Sequence, residues 1–100
     1  MQKPSLPMNA PIQIPEEGAF RAWLEREHDI HGRSIGDICS RVRRTMGMIS
    51  IKPNFSDAEV ESALLLSTDF QKCTMSVKSQ LRRSAKLYRT YIASRMNKKK

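Results

Sequence analysis

Apolar positions return every three to four residues in four separated stretches of this chain, which predicts four helices. The first is expected from about Pro15 to His28. Phe20, Trp23, Leu24 and His28 fall on one stripe at helical spacing. Proline suits the first helical position, Glu16 and Glu17 favour the positive end of the dipole, and Gly32 marks the stop. The second helix starts with Ser34 as N-cap and Asp37 in its first turn. Ile35, Ile38, Val42, Met46 and Ile49 then repeat at 3.6-residue spacing, while Arg41, Arg43 and Arg44 point elsewhere. Gly47 weakens the last turn by about 1 kcal/mol relative to alanine, and Pro53 closes the segment.

The third helix carries the best local start signal. Ser56 and Glu59 spell a capping box, and Phe55 and Val60 sit where a hydrophobic staple belongs. Val60, Ala63, Leu64 and Leu66 are its candidates for burial, it ends near Ser67, and Phe70 plugs the following turn. The fourth helix runs from Thr74–Ser76 to about Met96 and buries Val77, Leu81, Ala85, Tyr88 and Ile92. Lys78, Arg82, Lys86 and Arg89 fall within an arc of about 80° on another side of that helix, which predicts an exposed basic row. No stretch alternates apolar and polar over five or more positions, and Asn-Gly and Asp-Gly turns are absent, so no strand reading competes. The expectation is an all-α, compact four-helix bundle. A flexible proline-rich arm (1–14) precedes the helical domain (15–96), and a basic tail (97–100) follows it. Ile12 and Ile14 lay the end of the arm against the domain. One hundred residues suffice for one domain with one modest core.

Charge changes the picture more than composition does. Residues 51–100 hold eleven Lys/Arg against four Asp/Glu, and from Gln71 onward there are ten basic residues and no acid. A field of one sign over a third of the chain attracts polyanions: nucleic acid first, acidic protein surfaces second, anionic membrane third. No run of eighteen apolar residues offers a transmembrane helix, and no hydrophobic stretch follows the start to make a secretory signal. Cys39 and Cys73 stand 34 residues apart, which fits neither a metal cluster nor a disulfide framework. They read as reduced thiols at the core or its boundary in a cytoplasmic protein, a single disulfide between them being the alternative.

Candidate chemistry is sparse. His28 and His31 lack a third ligand at metal-binding spacing and straddle a helix end, so a surface or boundary pair is the default. Nucleophile elbow, phosphate loop and dinucleotide fingerprint are all missing. Glu25, Glu27 and Asp29 splay apart on a helix and read as a solvated face. The expectation is a protein that is not an enzyme, with no cofactor and no metal. Met46, Met48, Met75 and Met96 could line a pliable partner groove, although core filling is the commoner use. Tyr88 belongs to the buried stripe, and Tyr91, at its edge, is the ring expected to be exposed.

The F-x-x-W-L opening (Phe20, Trp23, Leu24), the arginine-bearing helix from Ser34 to Ile49, the short capped helix and the basic V-K-S-Q-L-R-R-S-A-K-L-Y-R-T-Y-I segment suggest a family. Over residues 16–96 the chain resembles the SAM-like core-binding domain that precedes the catalytic domain of tyrosine recombinases and phage integrases. That resemblance implies a four-helix unit clamping duplex DNA with its second and fourth helices. Carried over by position, the candidates are Arg41, Arg43 and Arg44 on the second helix, and Lys78, Arg82, Arg83, Lys86 and Arg89 on the fourth. The recombinase catalytic cluster and its nucleophilic tyrosine have no counterpart here, and Tyr88 and Tyr91 do not fill that role. The acidic first helix is expected to face away from DNA. An accessory or fragment from a mobile element fits this pattern.

The reading is therefore a non-enzymatic binder of double-stranded DNA, in which lysines and arginines neutralise phosphates. The small size makes a homodimer or larger assembly plausible. The alternative is a small basic module that docks on an acidic surface of a host complex, because electrostatic steering does not distinguish DNA from acidic protein. RNA binding would depend on Tyr91 stacking.

Overall fold

Ser56 uses its capping box as written. Its Oγ accepts from the Glu59 amide (3.1 Å), and its own amide donates to Glu59 Oε1 (2.7 Å). In the computed structural model, which describes residues 12–98, five helices follow in order: α1 (Glu17–His28), α2 (Arg33–Met46), α3 (Asp57–Leu66), α4 (Thr68–Gln71) and α5 (Met75–Lys98). The described chain is helical and connecting segment only, without strands. The arm up to residue 11 lies outside the described residues, as do residues 99–100 of the tail.

The all-α expectation holds, and the count of four is corrected by α4. Ser67 caps this single turn by accepting the Phe70 amide (3.3 Å), and the turn drives Phe70 fully into the core. The predicted plug is therefore itself helical. Helix boundaries moved where backbone conformation overruled propensity. Glu16 adopts φ 53°, so α1 begins one residue after it and Pro15 stays in the turn. Asp29, also left-handed at φ 55°, ends α1 before Gly32 is reached. Gly32 instead starts α2 at φ 61°, ψ −134°, a conformation that favours glycine, and Ser34 is an exposed residue inside the helix rather than its N-cap. At the other end Gly47 terminates α2 instead of lying within it. Helix α5 continues through Lys98, beyond the boundary placed at residue 96.

Two apolar clusters lie along α5, which packs mainly against α2. The first joins α1, α2 and the C-terminal half of α5 through Phe20, Trp23, Leu24, Ile38, Val42, Tyr88 and Tyr91. Its rings are close: Phe20 meets Tyr88 edge-on at 5.3 Å, and Trp23 meets Tyr91 at 5.5 Å. Ile14 is buried against the same cluster as expected, whereas Ile12 is 43% exposed. The second joins α3, α4 and the first half of α5 through Val60, Leu64, Phe70, Leu81 and Ala85. Each large side chain buried this way contributes roughly 1.5–3 kcal/mol. Ile51, in the segment between α2 and α3, touches both clusters.

Two burial expectations are corrected, and the surface or boundary default for His28 holds. Tyr91 is 4% exposed, because α1 lays Phe20 and Trp23 over it. Leu66 is 83% exposed, because α3 ends there and Leu64 already fills the core position. His28 is exposed, with its ring leaning on Trp23 at 4.7 Å. Cys39 is buried and Cys73 half-buried, both as free thiols, so the disulfide alternative falls. Burial pushes the Cys39 thiol up, which leaves it a packing residue.

Candidate nucleic-acid interface

The basic row of α5 does not stand free. Asp57 and Glu61 lie one turn apart on α3 and border its buried Val60–Leu64 stripe, so the helix covering that stripe must meet them. That helix is α5. Arg82 donates to Glu61, Lys86 approaches the same carboxylate at 3.3 Å, and Arg89 donates to Asp57 at 2.6 Å. Partial burial pushes the Glu61 carboxyl up, but hydrogen bonds and charge from Arg82 and Lys86 outweigh it and hold Glu61 below its ordinary value. Lys78 and Arg82 also lie against the Phe70 ring, 5.8 and 5.3 Å from its centroid. The exposed ridge expected of Lys78, Arg82, Lys86 and Arg89 is thus corrected: all four are half-buried, three in ion pairs with α3.

The three arginines of α2 diverge. Arg43 turns to α1 and donates to Glu17 Oε1 at 2.7 Å. Glu17 also takes Arg21, and these two arginines outweigh its partial burial to hold its carboxyl low. The acidic first helix therefore engages a predicted contact residue instead of simply facing away. Arg44 turns to the opposite corner, where its Nη2 lies 3.5 Å from Cys73 Sγ. Arg41 turns to α5.

There Arg41 shares a cleft of about 220 Å3 with Arg83, whose position one residue past Arg82 carries it about 100° around the helix, away from α3. Asp29, Ile30, His31, Ser34, Asp37 and Ile38 complete the walls. Neither arginine makes an ion pair among the described residues, although every other arginine described on α5 does. A second, shallower hollow continues from Arg83 to Lys86, beside Asp57, Leu87 and Thr90. Of the eight residues proposed from sequence, the fold brings Arg41, Arg83 and Lys86 to one surface and sends the other five elsewhere.

His31 rims the same cleft. Its Nε2 donates to Asp29 Oδ1 at 2.6 Å, and Glu25 lies 3.8 Å from Nδ1. The Asp29 hydrogen bond leads in raising the His31 pKa above its ordinary value, against slight desolvation. Among the described residues no His, Cys, Asp or Glu group of three could hold a metal. No described helix is long and apolar enough to cross a membrane. Sequence reasoning missed Asp57, Glu61 and Glu17 as counter-ions. The signal for the first two was present: acids at i and i+4 beside an apolar stripe, matching cations at similar spacing in α5. No protein-family model, curated protein or solved structure matches the chain.

Proposed function

We propose that the chain binds duplex DNA, without catalysis, through the seam between α2 and α5. The observation that carries this reading is the convergence of Arg41 and Arg83, from two different helices, on one cleft where neither makes an ion pair among the described residues, although Asp29 and Asp37 also line it. Lys86, although paired with Glu61, borders the neighbouring hollow with Arg83 and Asp57 and adds to the cationic field there. A phosphate seated in the cleft would accept forked hydrogen bonds from both guanidiniums. The net charge of +8 supplies long-range attraction even where local pairs are neutralised. The core-binding unit of the tyrosine recombinases, which uses its second and last helices on DNA, agrees with the choice of elements.

Three phosphate contacts give a log–log salt slope near −2.7, so affinity falls roughly forty-fold between about 50 and 200 mM salt. The test is a gel shift on random-sequence duplex with Arg41→Glu/Arg83→Glu, using Lys52→Glu, an exposed cation away from the seam, as control. The double variant loses at least about ten-fold in affinity and flattens the salt slope, while the control changes by about two-fold or less. Equal losses in both proteins would leave only diffuse charge attraction and sink the seam.

A further inference from the structure

A different end of the molecule combines apolar exposure with unpaired positive charge. Helix α3 buries Val60 and Leu64, yet Leu65 and Leu66 are 48% and 83% exposed at its last turn. Met75, opening α5, is 82% exposed. The single turn of α4 ties these helix ends together. Phe70 anchors it in the core, and Gln71 Nε2 donates to the Leu65 carbonyl at 2.6 Å. Alongside lies a cleft of about 450 Å3 between the end of α2 and α4, lined in part by Arg44, Met48, Asp69 and Lys72.

Arg44, Lys72 and Lys78 make no ion pair among the described residues; Arg44 and Lys72 share their cleft with Asp69, and Lys78 lies over the Phe70 ring. The α3 carboxylates are committed elsewhere: Asp57 and Glu61 to α5, and Glu59 to the capping box. Large apolar side chains left on a rigid corner mark interaction sites when they gather, and methionines adapt such a surface to a partner.

We propose that this corner docks an acidic amphipathic helix of another protein, laying its apolar stripe on Leu65, Leu66 and Met75 and its carboxylates on Lys72, Lys78 and Arg44. Charge complementarity selects this occupant. A two-fold contact with a second copy would bring the same cations of both chains together, whereas an acidic helix supplies the missing counter-ions. The mode is helix-in-groove recognition, and it uses different residues from the DNA-binding seam.

The probe is a synthetic helical peptide of about five turns, leucine at i, i+3, i+4 and i+7 and glutamate elsewhere, against a scrambled peptide of equal composition. Titrated into the isotope-labelled full chain, it moves the amides of Leu65, Leu66, Gln71, Lys72 and Met75 to saturation. Leu66→Asp/Met75→Asp weakens binding by about ten-fold or more, and Lys72→Glu/Lys78→Glu does the same with a reduced salt dependence. Leu66 and Met75 project into solvent, so their replacement leaves the melting temperature in place. Arg41→Glu/Arg83→Glu leaves peptide affinity within about two-fold, which separates this proposal from the DNA reading. Equal binding of the scrambled peptide, shifts confined to the α2–α5 seam, or no saturable binding would overturn it. So would a dimer, or binding to phosphatidylserine vesicles, that is abolished by Leu66→Asp in place of peptide binding.

Discussion

Two flanks of α5 carry similar cations to different ends. On the flank toward α3, Arg82, Lys86 and Arg89 meet Glu61 and Asp57. On the flank toward α2, Arg83 faces Arg41 across a cleft with no ion pair to either. On a helical wheel the first flank holds the arc of Lys78, Arg82, Lys86 and Arg89, and Arg83 lies outside it. What separates the flanks is pairing: α3 sets its carboxylates against one side in ion pairs, whereas on the other side Arg41 and Arg83 share a cleft with Asp29 and Asp37 and form none among the described residues. A charge on such a helix can serve the fold or a ligand, and its packing partner decides which.

Removing the floor beneath the α3 flank produces the largest effect. Phe70→Ala costs about 3–5 kcal/mol in chemical denaturation, because the ring fills the second cluster and carries Lys78 and Arg82 on its face. Next comes a direct contrast between adjacent arginines. Arg82→Glu sets a carboxylate against half-buried Glu61 and costs about 1–2 kcal/mol, whereas Arg83→Glu changes stability by about 0.5 kcal/mol or less. Equal costs would erase the distinction between the flanks. For this reason the DNA test reverses Arg41 and Arg83 and leaves Arg82 and Lys86 alone.

Acid sharpens the same contrast by a smaller amount. The folded-state pKa values of Glu61 and Glu17 lie below the ordinary 4.5, so their stabilisation is present above that value. It is lost as pH falls through the lowered folded values. Glu61→Gln makes the melting temperature less sensitive to acid in that window, and an unchanged acid profile would contradict the role given to the α3 flank. His31 is expected to act least and with opposite sign. Its raised pKa gives stabilisation below 6.5 that fades as pH rises through the folded value, and His31→Gln flattens that slope.

Much of the fold was legible because local chemistry and burial agreed. The Ser56 box, the Phe55–Val60 staple and the Val42, Leu81 and Ala85 stripe positions all stand where periodicity put them. The errors have a common physical origin in features that lie outside local pattern. Glu16 and Asp29 took left-handed backbones, Ser67 capped an unforeseen turn, and Tyr91 found two rings of α1 above it. The candidate site was legible only as a set of residue types. Which cations stay available depends on Asp57, Glu61 and Glu17, acids that periodicity places on a helix but does not pair across the bundle. Arg83 lies outside the arc of Lys78, Arg82, Lys86 and Arg89 on the wheel, and among the described arginines of α5 it is the one without an ion pair.

The most direct test follows the arginine side chains themselves. A short random-sequence duplex is titrated at about 50 mM salt into labelled protein while the Nε–Hε signals are observed. The account predicts that Arg41 and Arg83 move together and saturate, while Arg82 and Arg89 hold their positions against Glu61 and Asp57. Movement led by Arg82 and Arg89, or no movement of Arg41 and Arg83, would contradict it.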